Sequence, residues 1–268
     1  MEEAYAAAGC LVVSNAKSHR MDPDVPLLVP EVNADHLGLL AHQTYGSGGI
    51  VTHPNCSTIG LVLALKPLHA AFRVRRVHVV TLQAVSGAGL PGVSSIQALD
   101  NVIPFIAGEE EKMEQETRKI LGRLVDGAVE PADVVVGAQC NRVPVVDGHT
   151  LCVSVELEEE PALDRVREAW EAFTGEPQRL GLPSAPPKPV LYVGGDDVPQ
   201  VRLHRDAGLG MASTVGRLRR CPLLRYKFVT VSHNTIRGAA GGSLLCAEMA
   251  VAGGYGELRP YVSRTGNT

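Results

Sequence analysis

The sequence lacks any run of about 18 consecutive apolar residues, the length that a membrane-spanning helix needs. It also lacks a Cys-x-x-Cys pair, because its six cysteines are scattered at positions 10, 56, 140, 152, 221 and 246. In a chain of 268 residues, such spacing indicates free thiols of a reducing compartment rather than a disulfide framework or a zinc site. We therefore expect a cytoplasmic protein with no metal centre and no membrane partner.

An excess of positive charge is also missing. The chain has 25 Lys and Arg residues against 29 Asp and Glu residues, a net charge of −4, and no basic block, which argues against nucleic acid as a partner. The start of the chain is apolar after Glu3, but its leading charges are acidic, whereas a signal peptide begins with basic residues. We therefore interpret these first residues as a helix that leads into a strand. With 45% apolar and 20% charged residues, the composition is typical of a globular protein.

Strand-like and helix-like segments alternate in the first half of the chain, which is typical of βαβ units on a largely parallel sheet. From Cys140 two β-rich runs flank Asp147-Gly148, which predicts a hairpin with a two-residue turn. The predicted strands are 10–14, 26–29, 50–51, 74–85, 134–136, 140–146, 149–158, 190–193, 211–219 and 226–232, and the predicted helices are 56–72, 162–173 and 239–252. The fold class is therefore α/β, with an antiparallel or mixed sheet in the second half.

Cys56 is the strongest candidate for a nucleophile. It follows the turn His53-Pro54-Asn55 and begins a predicted helix. Backbone N–H groups and the helix dipole at that position favour a thiolate, so we expect a lowered pKa for the Cys56 thiol. The alternative is a buried and inert cysteine, which is the commoner fate of a single cysteine.

His149 and Arg142 are candidates for proton transfer and anion binding. In the predicted hairpin Val146 pairs with His149, and Arg142 lies four residues earlier on the same face. An imidazole and a guanidinium together suit a site that moves a proton and binds an anion. A solvated hairpin surface with unrelated charges is the alternative. The charged helix that begins at Glu109 would, taken alone, be a solvated face.

Glycine-rich stretches follow or precede several predicted elements, at 86–89, 194–195 and 238–242. They allow a backbone to approach a ligand closely, although turns are the usual explanation. None of them is a GxGxxG motif after the first strand or a Walker loop.

A series of short motifs runs in order along the chain: Ser14-Asn15-Ala16…Arg20-Met21, Pro30-Glu31-Val32-Asn33, Pro54-Asn55-Cys56-Ser57-Thr58, Gln83…Ser86-Gly87-Ala88-Gly89, Glu109…Lys112, Asn141-Arg142-Val143-Pro144…Gly148-His149, Gly210-Met211…Val215-Gly216-Arg217 and His233-Asn234-Thr235-Ile236-Arg237-Gly238-Ala239-Ala240. This series resembles the aspartate-semialdehyde dehydrogenase family, of the archaeal and fungal type. Their order and spacing match across nearly the whole chain. His53 stands where the family usually has Asn.

The resemblance implies an NADP-dependent enzyme that interconverts L-aspartyl 4-phosphate and L-aspartate 4-semialdehyde through a cysteine thioester, in lysine, threonine and methionine biosynthesis. It implies Cys56 as nucleophile, His149 as general acid/base and Gln83 as a residue that orients the substrate. Arg142 would bind the substrate carboxylate and Glu109 its amino group. The remaining expected residues are Arg20, Lys112 and Asn15 for phosphate, and Ser86, Gly87 and Asn234 for the cofactor.

The resemblance also implies a partial Rossmann-type nucleotide-binding domain, lacking the N-terminal Gly-rich part, and an α+β catalytic and dimerisation domain with a mixed sheet. The expected division is 1–55 for the remnant of the NADP-binding domain, 56–234 for the catalytic and dimerisation domain, and 235–268 for a C-terminal helix that returns to the nucleotide domain. The expected assembly is a homodimer or homotetramer acting on a small molecule and phosphate. Two alternatives are a truncated non-catalytic homologue with weak or no cofactor binding and a related malonyl-CoA-type reductase.

Overall fold

The computed structural model describes residues 1–255 of the chain, which fold into helices and strands. In chain order they are α1 Glu2–Ala7, β1 Leu11–Ser14, α2 Pro30–Asn33, β2 Gly49–Thr52, α3 Cys56–Phe72, β3 Val74–Gln83, α4 Ser95–Ala98, α5 Glu109–Ile120, β4 Arg123–Val125, β5 Ala128–Glu130, β6 Val135–Arg142, β7 His149–Leu157, α6 Leu163–Ala172, α7 Glu176–Leu180, β8 Val190–Val193, α8 Val201–His204, β9 Ser213–Cys221, β10 Arg225–Ser232 and α9 Gly241–Ala252. Within this range no helix is both long and apolar enough to cross a membrane.

A six-stranded mixed sheet in the order β6-β3-β7-β10-β9-β8 forms the centre of the fold. The pairs β3/β6 and β8/β9 are parallel, and the other three pairs are antiparallel. Helix α3 is buried along most of its length and packs with α6 against this sheet. Trp170 of α6 fixes the two helices together, since its indole N–H donates to the Ala64 carbonyl of α3 at 2.8 Å. The expected mixed sheet is therefore present.

The predicted hairpin across Asp147-Gly148 is wrong. Strands β6 and β7 do not pair with each other, because β3 lies between them and pairs with both. The residues after β6 instead bond to the end of β3 and to the residues that follow it: the Val143 N–H donates to the Gln83 carbonyl, and the Val85 N–H to the Val145 carbonyl. Pro144 has no N–H to give to a hairpin ladder. Arg142 and His149 still reach the same edge, since β6 ends and β7 begins where β3 ends.

A second, two-stranded parallel sheet is formed by β1 and β2. The strand predicted at 26–29 reduces to one bridge, between Leu27 and Thr52. The predicted C-terminal helix is α9, and it begins after a π-helical turn at Ile236–Ala240. Cys246 and Met249 of α9 pack in one buried cluster with Leu28 and Val51. The C-terminal helix therefore packs against the N-terminal part of the chain.

Candidate active site

Four elements meet at one end of the six-stranded sheet. Helix α3 begins at Cys56, β3 ends at Gln83, β6 ends at Arg142 and β7 begins at His149. Gln83 and Arg142 are paired across the parallel strands β3 and β6, and parallel strands end at the same edge. The fold thus collects four predicted site residues in one place.

The turn before α3 fixes the position of Cys56. Asn55 is the N-cap residue, and its side-chain oxygen accepts hydrogen bonds from the backbone N–H groups of Ser57 at 2.9 Å and Thr58 at 3.3 Å. Such a cap satisfies donors that the first helical turn leaves unpaired. On the other side lies Gly238, where an added Cβ would be 2.6 Å from the Cys56 Cβ. The nucleophile candidate is therefore confined on both sides.

His149 faces the sulfur of Cys56 with a defined tautomer. Its Nε2 lies 3.1 Å from the Cys56 Sγ, and its Nδ1 accepts a hydrogen bond from the Ala84 N–H at 3.1 Å. Because a backbone N–H can only donate, Nδ1 is the unprotonated nitrogen and Nε2 carries the proton. Burial, and next the positive charge of Arg142, lower the pKa of His149 to about 3. At neutral pH the imidazole is therefore an uncharged donor aimed at the sulfur.

The thiol of Cys56 does not have the lowered pKa that its helix position predicts. Burial, and next the Glu109 carboxylate, raise the pKa of Cys56 to about 12, against the opposing effects of Arg142 and the backbone N–H groups of Ser57 and Cys56. The expectation is wrong because desolvation of the thiolate outweighs the helix dipole. The donors that stabilise a thiolate are present, but the resting thiol is protonated at neutral pH.

Arg142 and His149 are joined through one backbone residue. The Arg142 Nη1 donates to the Ala84 carbonyl at 2.7 Å, while the Ala84 N–H binds His149. Arg142 is 6% exposed and His149 fully buried, so both groups act in a desolvated setting where charge interactions are strong. An anionic ligand on Arg142 would therefore lie beside the Cys56–His149 pair.

Gln83 and Glu109 lie on the other side of Cys56, around Ser57. The Gln83 Nε2 donates to the Ser57 Oγ at 3.3 Å, and the Glu109 Oε1 accepts from the Asn55 Nδ2 at 2.8 Å. The second oxygen of Glu109 is 3.4 Å from the Lys112 Nζ. A carboxylate and an amide are thus available next to the nucleophile.

The predicted phosphate-binding residues differ in the solvent exposure of their side chains. The Lys112 side chain is 32% exposed. Arg20 is buried, and its terminal nitrogens donate to the Glu116 Oε1 at 2.9 Å and to the Asn15 carbonyl at 2.8 Å. Its Nε has no partner within residues 1–255. The Asn15 side-chain oxygen is 3.2 Å from the His53 Nδ1. Lys112 is therefore the accessible cation, whereas Arg20 is part of a buried ion pair.

The predicted cofactor residues form a wall over the site. Asn234 accepts a hydrogen bond from the Gly148 N–H at 2.7 Å and donates to the Ser86 Oγ at 2.9 Å. An added Cβ on Gly87 would lie 3.0 Å from the Arg142 Nη1 and 3.2 Å from the His149 Cε1, while one on Gly89 would meet nothing within 4 Å. A side chain at position 87 would therefore crowd Arg142 and His149, whereas the space at Gly89 is open. Asn234 supports the wall with both ends of its amide.

Three residues of the site were not identified from the sequence as functional. The N-cap role of Asn55 can be predicted from the sequence, since Asn before the start of a helix is a common N-cap. Ala84 acts through its backbone and has no side-chain signal. Glu116 lies within a charged helix whose sequence resembles a solvated face, yet it is 2% exposed.

Comparison with known proteins identifies two family profiles on this chain. Residues 65–237 match the profile described as semialdehyde dehydrogenase, dimerisation domain. Residues 1–40 match the profile described as semialdehyde dehydrogenase, NAD binding domain.

Curated relatives cover most of the chain. The aspartate-semialdehyde dehydrogenase of Methanothermobacter thermautotrophicus is 54% identical over 244 residues, 89% of this chain and 70% of the relative. The enzyme of the same name from Schizosaccharomyces pombe is 48% identical over 265 residues, 95% of this chain and 74% of the relative. The chain therefore spans somewhat less than three-quarters of the length of these relatives.

Solved structures have the same fold. The crystal structure of aspartate semialdehyde dehydrogenase with NADP from Candida albicans superposes with a TM-score of 0.85 at 41% identity, covering 94% of this chain and 74% of that chain. Aspartate semialdehyde dehydrogenase II complexed with ASA, from Vibrio cholerae, gives a TM-score of 0.76 at 29% identity over 93% of this chain and 75% of that chain.

Proposed function

Because the chain belongs to the aspartate-semialdehyde dehydrogenase family, we propose that it interconverts L-aspartyl 4-phosphate and L-aspartate 4-semialdehyde through a thioester on Cys56. The observation that supports this most directly is the 3.1 Å contact between the Cys56 Sγ and the His149 Nε2. NADP is the cofactor, and the family resemblance relates the reaction to lysine, threonine and methionine biosynthesis.

In the oxidative direction the Cys56 thiol loses its proton to solvent, and its sulfur attacks the aldehyde carbon to form a C–S bond while the C=O π electrons move to the oxygen. The carbonyl oxygen then gains negative charge, and the Nε2–H of His149 is placed to donate to it. When bound, NADP accepts the hydride that leaves this carbon. Phosphate attack on the resulting thioester forms a C–O bond and breaks the C–S bond, which releases the Cys56 side chain as a free thiolate. We assign His149 as the general acid/base for the oxygen and phosphate steps.

Substrate orientation is assigned to three residues around Cys56. Arg142 binds the substrate carboxylate, because a guanidinium can hold a carboxylate by two parallel hydrogen bonds. Glu109 binds the amino group, and Gln83 orients the reacting end. The buried positions of Arg142 and Glu109 support their roles, since desolvated charges bind opposite charges strongly. The position of Gln83 is supported by its contact with Ser57, the neighbour of Cys56.

Phosphate binding is assigned to Lys112, Arg20 and Asn15. The partly exposed ammonium of Lys112 makes the direct contact, while the buried Arg20, which donates to the Asn15 carbonyl, contributes positive charge. We assign Ser86, Gly87 and Asn234 to the nicotinamide end of the cofactor, which the hydrogen bonds of Asn234 to Gly148 and Ser86 at the edge of the site support. We propose the division into 1–55, 56–234 and 235–268, and the packing of α9 on the N-terminal part of the chain supports it; positions 256–268 of the last segment lie outside the described residues.

The assembly includes at least a dimer, which the match to a dimerisation-domain profile supports. We propose a homodimer or a homotetramer, and light scattering coupled to size exclusion distinguishes the two. We also propose a cytoplasmic location, because all six cysteines are free thiols, as a reducing compartment favours.

Turnover of aspartate semialdehyde, compared with turnover of malonyl-CoA, tests the proposed function. We expect NADPH to form when the protein is mixed with aspartate semialdehyde, phosphate and NADP. Cys56→Ser should remove this activity, whereas Cys152→Ser, which changes an exposed cysteine on β7, should not. Reduction of malonyl-CoA without turnover of aspartate semialdehyde would contradict the proposal and favour the malonyl-CoA-type reductase. Titration calorimetry with NADP separately tests the non-catalytic alternative, which predicts weak or no binding.

A further inference from the structure

Helix α5 has charged residues on a side that faces the protein interior. Glu109, Glu116 and Lys119 lie at intervals of seven and three residues and are 6%, 2% and 6% exposed. Residues at such intervals share one side of a helix. Burying charge is costly unless each group has partners. The contacts of this side therefore show what the buried charges stabilise.

Glu116 joins two separate parts of the site. Its Oε2 accepts a hydrogen bond from the backbone N–H of Asn55 at 2.7 Å, and its Oε1 accepts one from the Arg20 Nη1 at 2.9 Å. Asn55 immediately precedes the nucleophile Cys56, while Arg20 belongs to the segment assigned to phosphate. One carboxylate therefore contacts both the nucleophile turn and the phosphate segment.

The contact with Asn55 matters because this residue organises the start of α3. Its side chain caps the N–H groups of Ser57 and Thr58, but its own backbone N–H is bonded to Glu116. A buried N–H without a partner is strongly unfavourable. Without the Glu116 carboxylate the turn would have to move to satisfy this group, and Cys56 would move with it.

The same helix holds the other end of the phosphate segment. The Lys119 Nζ donates to the carbonyls of Arg20, Asp22 and Val25 at 2.8, 2.8 and 2.9 Å. The backbone and the guanidinium of Arg20 are thus both fixed by α5, through Lys119 and Glu116. This leaves little freedom for the segment relative to Cys56.

From these contacts we infer that Glu116 is a positioning residue, which sets the distance between the nucleophile turn and the phosphate segment through the Asn55 N–H and the Arg20 guanidinium. The inference rests on the proposed function for its kinetic consequences. Its geometric consequence, the placement of the Cys56 thiol, does not depend on turnover.

Glu116→Gln is the informative substitution. A glutamine has one acceptor oxygen, so it can serve either Asn55 or Arg20, and its NH₂ group then faces the other donor. We expect kcat to fall at least about tenfold, because small misplacements of reacting groups have large effects on rate. We also expect alkylation of Cys56 by iodoacetamide at pH 8, followed by peptide mass mapping, to slow at least about threefold, because the turn N–H groups that favour the thiolate no longer face the sulfur.

Glu114→Gln is the matched control. Glu114 lies on the same helix and also accepts a backbone N–H, that of Ala138 at 3.1 Å, but on strand β6. It should leave kcat and the alkylation rate within twofold of the parent. Glu116→Asp is the second variant, since it keeps the charge but is too short to reach both donors, and it should lower kcat as well.

Unchanged kcat and alkylation in Glu116→Gln would overturn the inference, as would equal losses in Glu116→Gln and Glu114→Gln. If Glu116→Gln fails to fold, Glu116→Asp decides: full kcat in that variant overturns the inference, and a loss supports it. If the parent protein is inactive, the proposed function fails, and the alkylation rates alone decide for or against Glu116.

Discussion

Replacing Gly238 by alanine places a methyl group against Cys56, the proposed nucleophile. The added Cβ would lie 2.6 Å from the Cys56 Cβ and 3.0 Å from the Cys56 Cα, whereas ordinary contacts begin at 3.4 Å. The two residues must therefore separate by about 0.8 Å, the difference between the ordinary and the close contact. The Cys56 Sγ is 3.1 Å from the His149 Nε2, so a shift of this size away from His149 lengthens the contact to about 3.9 Å and weakens the hydrogen bond.

Gly238→Ala should lower the reaction rate strongly but leave the protein folded. Overpacking of a close-packed interior costs about 1–3 kcal/mol, which is less than the roughly 5–15 kcal/mol that keeps a typical protein folded. A displacement approaching 1 Å at the reacting atom costs about 100-fold in rate. We therefore expect Gly238→Ala to fold and to lose about 100-fold in kcat.

The assay is NADPH formation from aspartate semialdehyde and phosphate, with thermal unfolding measured in parallel. Gly194→Ala is the control, because a Cβ at Gly194 would meet nothing within 4 Å. It should keep full activity. A folded Gly238→Ala variant with kcat within about threefold of the parent would refute the reasoning, since it would show that the thiol tolerates displacement.

Three further predictions concern charge and protonation. Arg142→Lys should raise KM for aspartate semialdehyde more than kcat falls, because the bidentate contact with the carboxylate is lost; steady-state kinetics with an unchanged KM would remove that role. The pKa of Cys56, raised to about 12, keeps the thiol protonated at neutral pH. Because the thiolate is the reactive form, the rate of Cys56 alkylation should rise about tenfold for each pH unit between pH 7 and 9. A rate that is flat over this range would indicate a thiolate at neutral pH. Glu31→Gln should lower the free energy of unfolding by about 3–5 kcal/mol, because it leaves the buried Arg237 charge uncompensated. The Arg237 guanidinium is 1% exposed and is bonded to both Glu31 oxygens. Denaturant unfolding that shows a loss under about 1 kcal/mol would contradict this.

Local signals predicted much of the fold. The apolar run of α3, its start at Cys56 and the long strand β3 follow from periodicity and turn residues. The pairing of strands did not follow, because the Asp147-Gly148 signal is local while the choice of partner depends on β3, which comes some 60 residues earlier in the chain. The proximity of Arg142 and His149 was therefore expected for an incorrect reason.

The site was predictable where residue type carries the chemistry, as at Cys56 and His149. It was not predictable where the backbone acts, as at Ala84, or where burial changes the behaviour of a charged residue, as at Glu116. The protonation state of Cys56 is the clearest case. Its position at the helix start is visible in the sequence, but the desolvation that raises its pKa depends on elements that pack around it only in the folded protein.

The central claim is that Cys56 forms the covalent intermediate. Rapid acid quenching of the protein with aspartate semialdehyde and NADP, in the absence of phosphate, followed by peptide mass mapping, tests this most directly. The account predicts an aspartyl adduct on the peptide that contains Cys56, and its loss when phosphate is added before the quench. An adduct on another of the six cysteines, or turnover without any adduct on Cys56, would contradict it.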